Sequence, residues 1–428
     1  MKKENLNMTI TVMSDYLVFP VYTHSTNKKL VFRYEGETVY QLNIKLDNAS
    51  PDFYAYIDVA RFKGKDIEIS VMPKMEISFR ETDELDIDNV YREAMRPQVH
   101  FTAKNGFLGS PKSLLEADGV YHLFYQQNPA GREKENLHLG HATSKDLLHW
   151  QEEKIAVFPD ENGVLVDEDE TMGSKYPQIF ALTDIEGNKK WISMDEKGGY
   201  FVGNVENGQF LAEQPVQTLR YGDGFHKGQI LFERKNGRMI RMDWDYTDIP
   251  RSCFCGQMGI PTELSLKKYK DTYYLQALPI EELGVLYKNT NHYENIRLEK
   301  ENTVEIPLAD GAHLILLKGK FDETAVLDMI LFGRRICIDF TENLITFGKN
   351  KAPISVADKY FELMLVVDRC GAEFFADAGK IYFSSLSEDT VMDRNLLNLS
   401  LTCNTEYSLD FLEIHALEPI WQTSPKKV

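Results

Sequence analysis

The 428-residue sequence is poor in cysteine. Its five cysteines form an odd and sparse set, which excludes a disulfide framework and favours a reducing compartment. Cys253 and Cys255 lie close together, but no second Cys or His pair lies nearby to complete a zinc site. We therefore expect small buried thiols, no metal site and no cofactor.

The sequence also lacks positive charge and long apolar runs. Its 48 Lys and Arg residues stand against 66 Asp and Glu residues, and the formal net charge of -18 repels phosphate backbones and anionic membranes. We therefore expect neither nucleic-acid nor membrane partners. No stretch approaches the roughly 20 apolar residues that span a bilayer, and residues 1–19 lack the apolar core of a signal peptide. This favours a cytoplasmic protein, or a secreted one if a signal peptide has been lost from the sequence.

The pattern that is present is β throughout. Short runs rich in Val, Ile, Tyr and Phe recur about every 8–12 residues, separated by Gly, Asn and Asp turns. Residues 1–92 fit an N-terminal β-sandwich, and residues 93–284 fit four-strand modules of the kind that form propeller blades. We expect the first module to end in a strand over His149–Phe158. The strands of the third should be Gln229–Glu233, Arg238–Asp243, Glu263–Lys268 and Thr272–Leu278. Longer strands in residues 285–428 fit a C-terminal β-sandwich. The predicted class is all-β.

Two local patterns contain residue types that bind metals, but their spacing argues against a metal site in each case. The acidic run Asp167–Glu170 is continuous, whereas a calcium loop spaces its ligands, so we expect a solvated loop there. His138 and His141 are three residues apart on a predicted strand and should point to opposite faces. They should therefore not chelate one ion together.

Several segments resemble the motifs of one enzyme family. They occur in the same order as in that family, at residues 96–102, 118–129, 140–150, 260–266 and 367–375. On these segments the chain resembles glycoside hydrolase family 32, which comprises invertases and fructan hydrolases. The resemblance implies a β-propeller followed by a β-sandwich, and the N-terminal module is similar to a small sandwich that precedes the propeller in some gut-bacterial fructanases.

The resemblance also implies a retaining mechanism with two carboxyl groups about 5–5.5 Å apart, an Asp nucleophile and a Glu acid. Ser110, in the segment Phe107–Ser113, stands where the nucleophile should be, and Lys175 stands where the acid should be. The Trp and both Asn residues that the resemblance implies for that segment are also absent. The family's long stretch before the acid motif shrinks to Glu161–Ser174. We infer the loss of up to two of five blades, which gives a truncated propeller.

These replacements remove the chemistry of the family. A serine hydroxyl is not ionised at pH 7 without a base, and a lysine with a pKa near 10.4 is a poor acid; loss of the general acid alone costs a factor of about 10²–10⁴ in rate. We expect a non-catalytic protein that binds a carbohydrate (fructose-containing or phosphorylated) or a protein partner. The predicted ligand-binding residues are Phe107, Ser110, Lys112, Lys175 and Phe254, and the two Phe residues match pocket-lining Trp residues of the family.

Three alternatives stay open. Asp243 and Asp245 share one strand face and offer a carboxylate pair for a non-standard glycosidase, or else they form a solvated strand end. Ser110 and Lys175 form a candidate Ser-Lys hydrolase dyad, although no glycine-rich oxyanion segment accompanies them. Lys112 and Lys175 either bind an anionic sugar such as a sugar phosphate or are solvated charges.

The inferred loss of blades has a consequence for assembly. Opening a propeller ring exposes two apolar blade faces, and large exposed apolar patches usually mark an interface. We expect a second copy to cover them in a symmetric homodimer. Otherwise the segment Val164–Ser174 or a flanking sandwich should cover them.

Overall fold

The computed structural model describes most of the chain. The described residues are 8–48, 50–76, 78–84, 91–160, 177–222, 227–233, 236–250, 252–300, 302–354, 360–386 and 391–421. They form 35 strands and three short 3-10 helices, at Ala60–Phe62, Glu281–Leu286 and Asp377–Gly379. The predicted all-β class is confirmed. Within the described ranges no helix has the length and apolar character to cross a membrane.

The N-terminal region is a two-sheet sandwich. Its strands are β1 (Met8–Thr11), β2 (Tyr16–Val21), β3 (Lys28–Tyr34), β4 (Glu37–Ile44), β5 (Phe53–Asp58), β6 (Asp66–Met72) and β7 (Arg80–Thr82). One sheet has the order β1-β6-β3-β4 and the other β5-β2-β7. Alternating apolar residues such as Leu17, Phe19 and Phe32 fill the space between the sheets, as expected for strands with one face buried.

The next four strands form the sheet that we call the first blade. They are β8 (Gly106–Ala117), β9 (Val120–Asn128), β10 (His138–Ser144) and β11 (Gln151–Glu152). Asp118 and Gly119 turn the chain between β8 and β9 with φ values of 53° and 76°, as a two-residue hairpin requires. We expected a longer fourth strand over residues 149–158. Instead, a turn with Leu147 at φ 64° precedes a two-residue strand.

A second antiparallel sheet, the second blade, follows. It contains β12 (Gln178–Thr183), β13 (Lys189–Met194), β14 (Gly199–Glu206) and β15 (Gln209–Ala212), and β16 (Gln217–Thr218) also pairs with β14. The chain then forms β17 (Arg220–Tyr221), which leaves this sheet and pairs in parallel with a strand of the C-terminal sandwich.

The third blade is the sheet β18-β19-β22-β23. Its region contains β18 (Lys227–Glu233), β19 (Arg238–Asp245), β20 (Phe254–Cys255), β21 (Gln257–Met258), β22 (Thr262–Tyr269) and β23 (Thr272–Pro279). β21 pairs with β19, whereas β20 pairs in parallel with β8 of the first blade. This crossing strand joins the third blade to the first.

The third blade lies between the other two. From one face Met242 and Trp244 share a core with Leu123 of the first blade, and from the other Met239 shares a core with Ile192 of the second blade. The described residues thus form three blades, which agrees with the predicted truncated propeller.

The C-terminal region is a second sandwich. Its strands are β24 (Tyr287–Leu298), β25 (Val304–Pro307), β26 (His313–Lys320), β27 (Val326–Leu331), β28 (Arg334–Asp339), β29 (Leu344–Phe347), β30 (Asn350–Pro353), β31 (Tyr360–Asp368), β32 (Gly371–Ala376), β33 (Ile381–Ser385), β34 (Asn398–Cys403) and β35 (Tyr407–Leu417). One sheet has the order β17-β33-β32-β31-β26-β35-β24 and the other β25-β34-β27-β28-β29-β30. Because β17 is an edge strand of the first, this sandwich is tied directly to the propeller.

Candidate functional site

Ser110 lies on β8 in a closed environment. Its side chain is 4% exposed, and its hydroxyl donates a hydrogen bond to Gln126 Oε1 at 3.2 Å. A Cβ atom on the preceding residue, Gly109, would lie 2.7 Å from the Phe107 ring and 2.9 Å from Gln126 Cβ. The packing around Ser110 is therefore tight, and its hydroxyl bonds to a neutral amide.

The aromatic residues predicted to line a pocket are core residues. Phe107 meets the Trp244 ring nearly edge-on, with the ring centroids 5.9 Å apart. Phe254 lies under the guanidinium of Arg96, at 4.0 Å from ring centroid to Cζ. Both rings are buried, so sugar stacking on these two residues stays a prediction that would require them to move.

Of the two lysines predicted to bind a ligand, only Lys112 lies among the described residues. Lys112 is exposed on β8, two residues from Ser110. Lys175 lies outside the described residues, as do the acidic run Asp167–Glu170 and the segment Val164–Ser174. The Ser110–Lys175 dyad and the two-lysine anion site therefore stay predictions.

Asp243 and Asp245 share one face of β19, as the alternation predicted, but they do not form a solvated strand end. Each is 1% exposed. Arg241 bonds both Asp243 oxygens through Nε, at 3.1 and 3.0 Å, and adds an Nη2 contact at 2.6 Å. Arg220 Nη2 bonds both Asp245 oxygens, at 2.9 and 3.0 Å. The guanidinium groups thus occupy the oxygens that a substrate or an attacking water would need.

Arg220 connects this pair to the C-terminal sandwich. It projects from β17 with its Cζ 3.8 Å from the centroid of the Tyr382 ring, and its Nη2 also donates to Ser384 Oγ at 2.7 Å. Burial works against the charge of Arg220, but the carboxylates, Asp245 first, raise its pKa above the ordinary arginine value. The Asp243–Asp245 pair is therefore part of an interdomain ion network.

A second buried charged group joins the start of the propeller region to the C-terminal sandwich. His100 Nδ1 lies 2.8 Å from Asp368 Oδ2, and His100 Nε2 lies 3.5 Å from Glu373 Oε2, a distance at which charges attract without a good hydrogen bond. Asp368 also accepts the backbone N–H groups of Gln98 and Val99. We call His100, Asp368 and Glu373 the interdomain triad.

Electrostatics keep His100 of this triad protonated. Burial lowers the pKa of His100, but the hydrogen bond to Asp368 and the negative charges of Asp368 and Glu373 outweigh it and raise the pKa to about 10. For Asp368 the effect of burial has the opposite sign, because burial raises the pKa of a carboxyl group. The hydrogen bond and charge of His100, together with the backbone N–H donors, outweigh it and bring the pKa of Asp368 below its ordinary value. The triad thus holds a cation between two carboxylates.

The sequence contained partial signals for both charged groups. Arg241 precedes Asp243 by two residues on a strand, so strand alternation places them on one face. His100 and Asp368 both lie in segments that resemble family motifs, but nothing local links residues 268 positions apart. Arg220 had no sequence signal at all.

The two histidines on β10 point to opposite faces, as predicted. His138 is buried and its Nε2 lies 2.7 Å from Tyr40 OH of the N-terminal sandwich. His141 is half-buried on the other face, where its Nε2 lies 3.0 Å from His122 Nδ1. Among the described residues no group of three or more His, Cys, Asp and Glu side chains is placed to hold a metal ion.

Two clefts in the described part of the molecule lie away from Ser110. One has a volume of about 10 Å³ and lies between the N-terminal sandwich and the first blade, with Thr23, Asn43, Lys45 and Glu133 in its lining. The other also has a volume of about 10 Å³ and lies beside Phe101 and Trp150. Each is about the size of one water molecule and far below the roughly 300–1,000 Å³ of a typical ligand pocket.

Comparison with known sequences points to one family. The model of the glycosyl hydrolases family 32 N-terminal domain matches residues 100–168. A levanase from Bacillus subtilis is 21% identical over 520 residues, which cover 85% of this chain and 76% of the levanase. An invertase from Schizosaccharomyces pombe is 46% identical over 77 residues, but these cover 18% of this chain and 13% of the invertase.

Solved structures agree on the fold. An exo-inulinase from Aspergillus awamori matches with a TM-score of 0.64 and 15% identity, over 77% of this chain and 100% of that chain. A β-fructofuranosidase from Schwanniomyces occidentalis, complexed with fructosyl-erythritol, matches with a TM-score of 0.62 and 15% identity, over 78% of this chain and 100% of that chain. The chain therefore shares the fold of these structures.

Proposed function

We propose that this chain, which is similar to glycoside hydrolase family 32 proteins in sequence and in fold, is a non-catalytic relative that binds a carbohydrate. The observation that carries the proposal is Ser110. A serine that is 4% exposed and bonded to a neutral amide occupies the position where the family resemblance expects the nucleophilic carboxylate. A retaining glycosidase needs one ionised and one protonated carboxyl group about 5–5.5 Å apart across the scissile bond.

The arrangement of the one alternative carboxylate pair, Asp243 and Asp245, also supports the proposal. Asp243 and Asp245 are the alternative that the sequence offered, and Arg241 and Arg220 bind both of them in the interior. A glycosidase acid must reach the glycosidic oxygen and donate a proton to it. Buried carboxylates that are each chelated by a guanidinium do not meet that requirement.

The ligand class rests on the relatives and on charge. The similar proteins are named levanase, invertase and exo-inulinase, so a fructose-containing sugar is the first candidate. Exposed Lys112 adds a cation two residues from Ser110, which suits a phosphorylated sugar. A protein partner is the competing candidate for a non-catalytic member.

The catalytic half of the proposal is tested with purified protein and sucrose, inulin or levan. We expect no fructose release above an enzyme-free control. Turnover that Asp243→Asn abolishes and Asp328→Asn leaves intact would overturn the proposal and favour a glycosidase that uses Asp243 and Asp245. Asp328→Asn is the matched control because it changes a carboxylate that pairs with an arginine on the C-terminal sandwich, away from the propeller.

Restoring the family carboxylates should also fail to create activity. Ser110→Asp with Lys175→Glu places the two carboxyl groups but leaves out the Trp and Asn residues that the resemblance expects in the segment Phe107–Ser113. Fructose release by this double variant would show that the remaining site still holds the substrate productively.

The binding half is tested by calorimetry with fructose, a short inulin oligosaccharide and fructose 6-phosphate, with glucose as the negative ligand. We expect a fructose-specific heat, and Lys112→Ala should weaken the phosphorylated ligand about tenfold. Lys351→Ala, at an exposed lysine of the C-terminal sandwich, is the matched control. Equal or absent heats for all four sugars would contradict the proposal that the ligand is a carbohydrate and would favour a protein partner.

A further inference from the structure

The second blade has an apolar face that no described sheet covers. Cross-strand pairing places Ile179, Ser193 and Phe201 side by side, and the next row holds Ala181 and Trp191. Ile179 is 51% exposed and Phe201 is 40% exposed. The opposite face packs on the third blade, so this sheet is buried on one side and open on the other. We call this open side the outer face of the second blade.

The first blade has an outer face of its own. Leu115 pairs with His122, and Phe124 pairs with His141, so these four side chains share one side of the sheet. The rings of Phe124 and His141 stack with centroids 4.5 Å apart, and Leu115 is 38% exposed. Burial and the nearby His122 lower the pKa of His141, which keeps that ring neutral at pH 7. This face is largely aromatic, and the carboxylate of Glu153 borders it through a hydrogen bond from Thr143.

The chain between the two outer faces is short and acidic. Only 16 residues separate Asp160 from Pro177, and five of them are Asp or Glu. A four-stranded blade needs about 20–24 residues in its strands alone, before its turns are counted. This segment is therefore too short to supply one missing blade, and its charge is poorly suited to covering two apolar faces.

We propose that a second copy of this chain covers both outer faces and that two three-bladed half-rings close into one six-bladed ring. The second blade of each copy packs on the first blade of the other, and the two-fold axis coincides with the propeller axis. Six lies within the four to eight blades of known propellers. Each copy supplies both halves of the contact, so the assembly closes at two copies.

The expected interface area is sufficient for a stable dimer. A face four strands wide and six residues long measures about 19 by 20 Å, or about 400 Å². Two such contacts, counted on both copies, bury about 1,600 Å², which is the size of a standard specific interface. The inference concerns assembly alone and is independent of carbohydrate binding.

Light scattering coupled to size exclusion tests the proposal. The wild type should show twice the 49.3 kDa chain mass at micromolar concentration. Phe201→Glu on the second blade and Leu115→Glu on the first should each raise the dimer Kd about a hundredfold or more, because each introduces a buried charge at both contacts. Ile330→Glu, at an equally exposed apolar residue of the C-terminal sandwich, should leave the dimer intact.

Three results would overturn the six-bladed ring. The first is a measured wild-type mass of 49.3 kDa, the mass of one chain, that stays the same on dilution. The second is a dimer that Phe201→Glu dissociates but Leu115→Glu does not, since that pattern means two second blades meet face to face. The third result comes from cross-linking the wild type, which is needed if a variant fails to fold. A mixture of ¹⁴N-labelled and ¹⁵N-labelled chains distinguishes links between copies from links within one copy. The absence of links between Lys189 of one copy and Lys112 or Lys145 of the other would exclude the contact.

Discussion

Two of the buried polar centres among the described residues lie in segments that resemble the same family, and these two differ in charge. Ser110 bonds to the neutral amide of Gln126, and the adjacent Gly109 lies against the Phe107 ring. In the interdomain triad, a protonated His100 lies between Asp368 and Glu373. Both centres exclude water, but only the triad uses that exclusion to strengthen ion pairing.

Three of the most deeply buried carboxylates share the character of the triad. Asp368, Asp243 and Asp245 all sit at contacts between the propeller and the C-terminal sandwich or within the propeller, and each is bound to a cationic side chain. A carboxylate in such a group stabilises a junction, whereas a carboxylate in a glycosidase must face a substrate. The contrast is what the proposed non-catalytic function predicts, and stability measurements can sharpen or break it.

The largest expected effect comes from Asp368→Ala. It leaves the His100 cation and the N–H groups of Gln98 and Val99 without their acceptor in the interior, so we expect a loss of about 3–5 kcal/mol in the free energy of unfolding. Urea denaturation measures it. Glu406→Ala, at an exposed residue of the same sandwich, should change stability by less than about 0.5 kcal/mol. A loss below about 1 kcal/mol for Asp368→Ala would show that the triad does not stabilise the junction.

The triad should also give an alkaline signature. The pKa of His100 is raised from 6.5 to about 10, so its stabilisation is complete below pH 6.5 and disappears as pH rises through 10. Linkage sets an upper limit of about 5 kcal/mol, and we expect a smaller loss than for Asp368→Ala because a neutral His100 keeps its hydrogen bond to Asp368. Tyr and Lys residues titrate in the same range, so the measurement is the difference in urea stability between wild type and His100→Gln from pH 6 to 10.5. Parallel curves would mean that His100 is neutral in the folded protein.

An acid signature of opposite sign is expected at the contact between the N-terminal sandwich and the first blade. Burial lowers the pKa of His138 from 6.5 to about 4, so its neutral form is favoured in the folded state. As pH falls from 6.5 to 4 the unfolded state gains the proton first, which costs at most about 3 kcal/mol. His138→Gln should flatten this part of the stability curve. An NMR titration of His138 with a midpoint near 6.5 would contradict the assignment.

The smallest effect should come from Ser110→Ala. It removes one neutral hydrogen bond to Gln126, so we expect a loss of about 1 kcal/mol. Differential scanning calorimetry suffices to measure it. A loss as large as that of Asp368→Ala would erase the contrast between the two centres and indicate that Ser110 stabilises an arrangement beyond its one hydrogen bond.

Much of the fold was predictable because strand alternation and turns are local signals. The four strands expected in the third blade appear as β18, β19, β22 and β23 within a few residues of the predicted bounds. The long strand expected over residues 149–158 was wrong, because the backbone turns at Leu147 and Val157 makes only an isolated bridge to Leu139. Apolar composition does not reveal such a turn.

The candidate site was predictable only in part. The sequence placed Asp243 and Asp245 on one strand face correctly, yet it gave no indication of Arg220, which binds Asp245 from another part of the fold. Their burial also went unforeseen, since charged residues are almost never fully buried unless they are paired. The pairing of Asp245 with Arg220 depends on the C-terminal sandwich lying against β19.

The sequence by itself determined the all-β class, the order of the modules and the presence of Ser110 where a carboxylate was expected. Only the tertiary structure decided that Ser110 is enclosed, that Asp245 meets Ser384 139 positions away, and that His100 meets Asp368 268 positions away. Local patterns depend on the period of a strand, which a few neighbouring residues set. Contacts between distant segments depend on how whole sheets pack, and no short stretch of sequence contains that information.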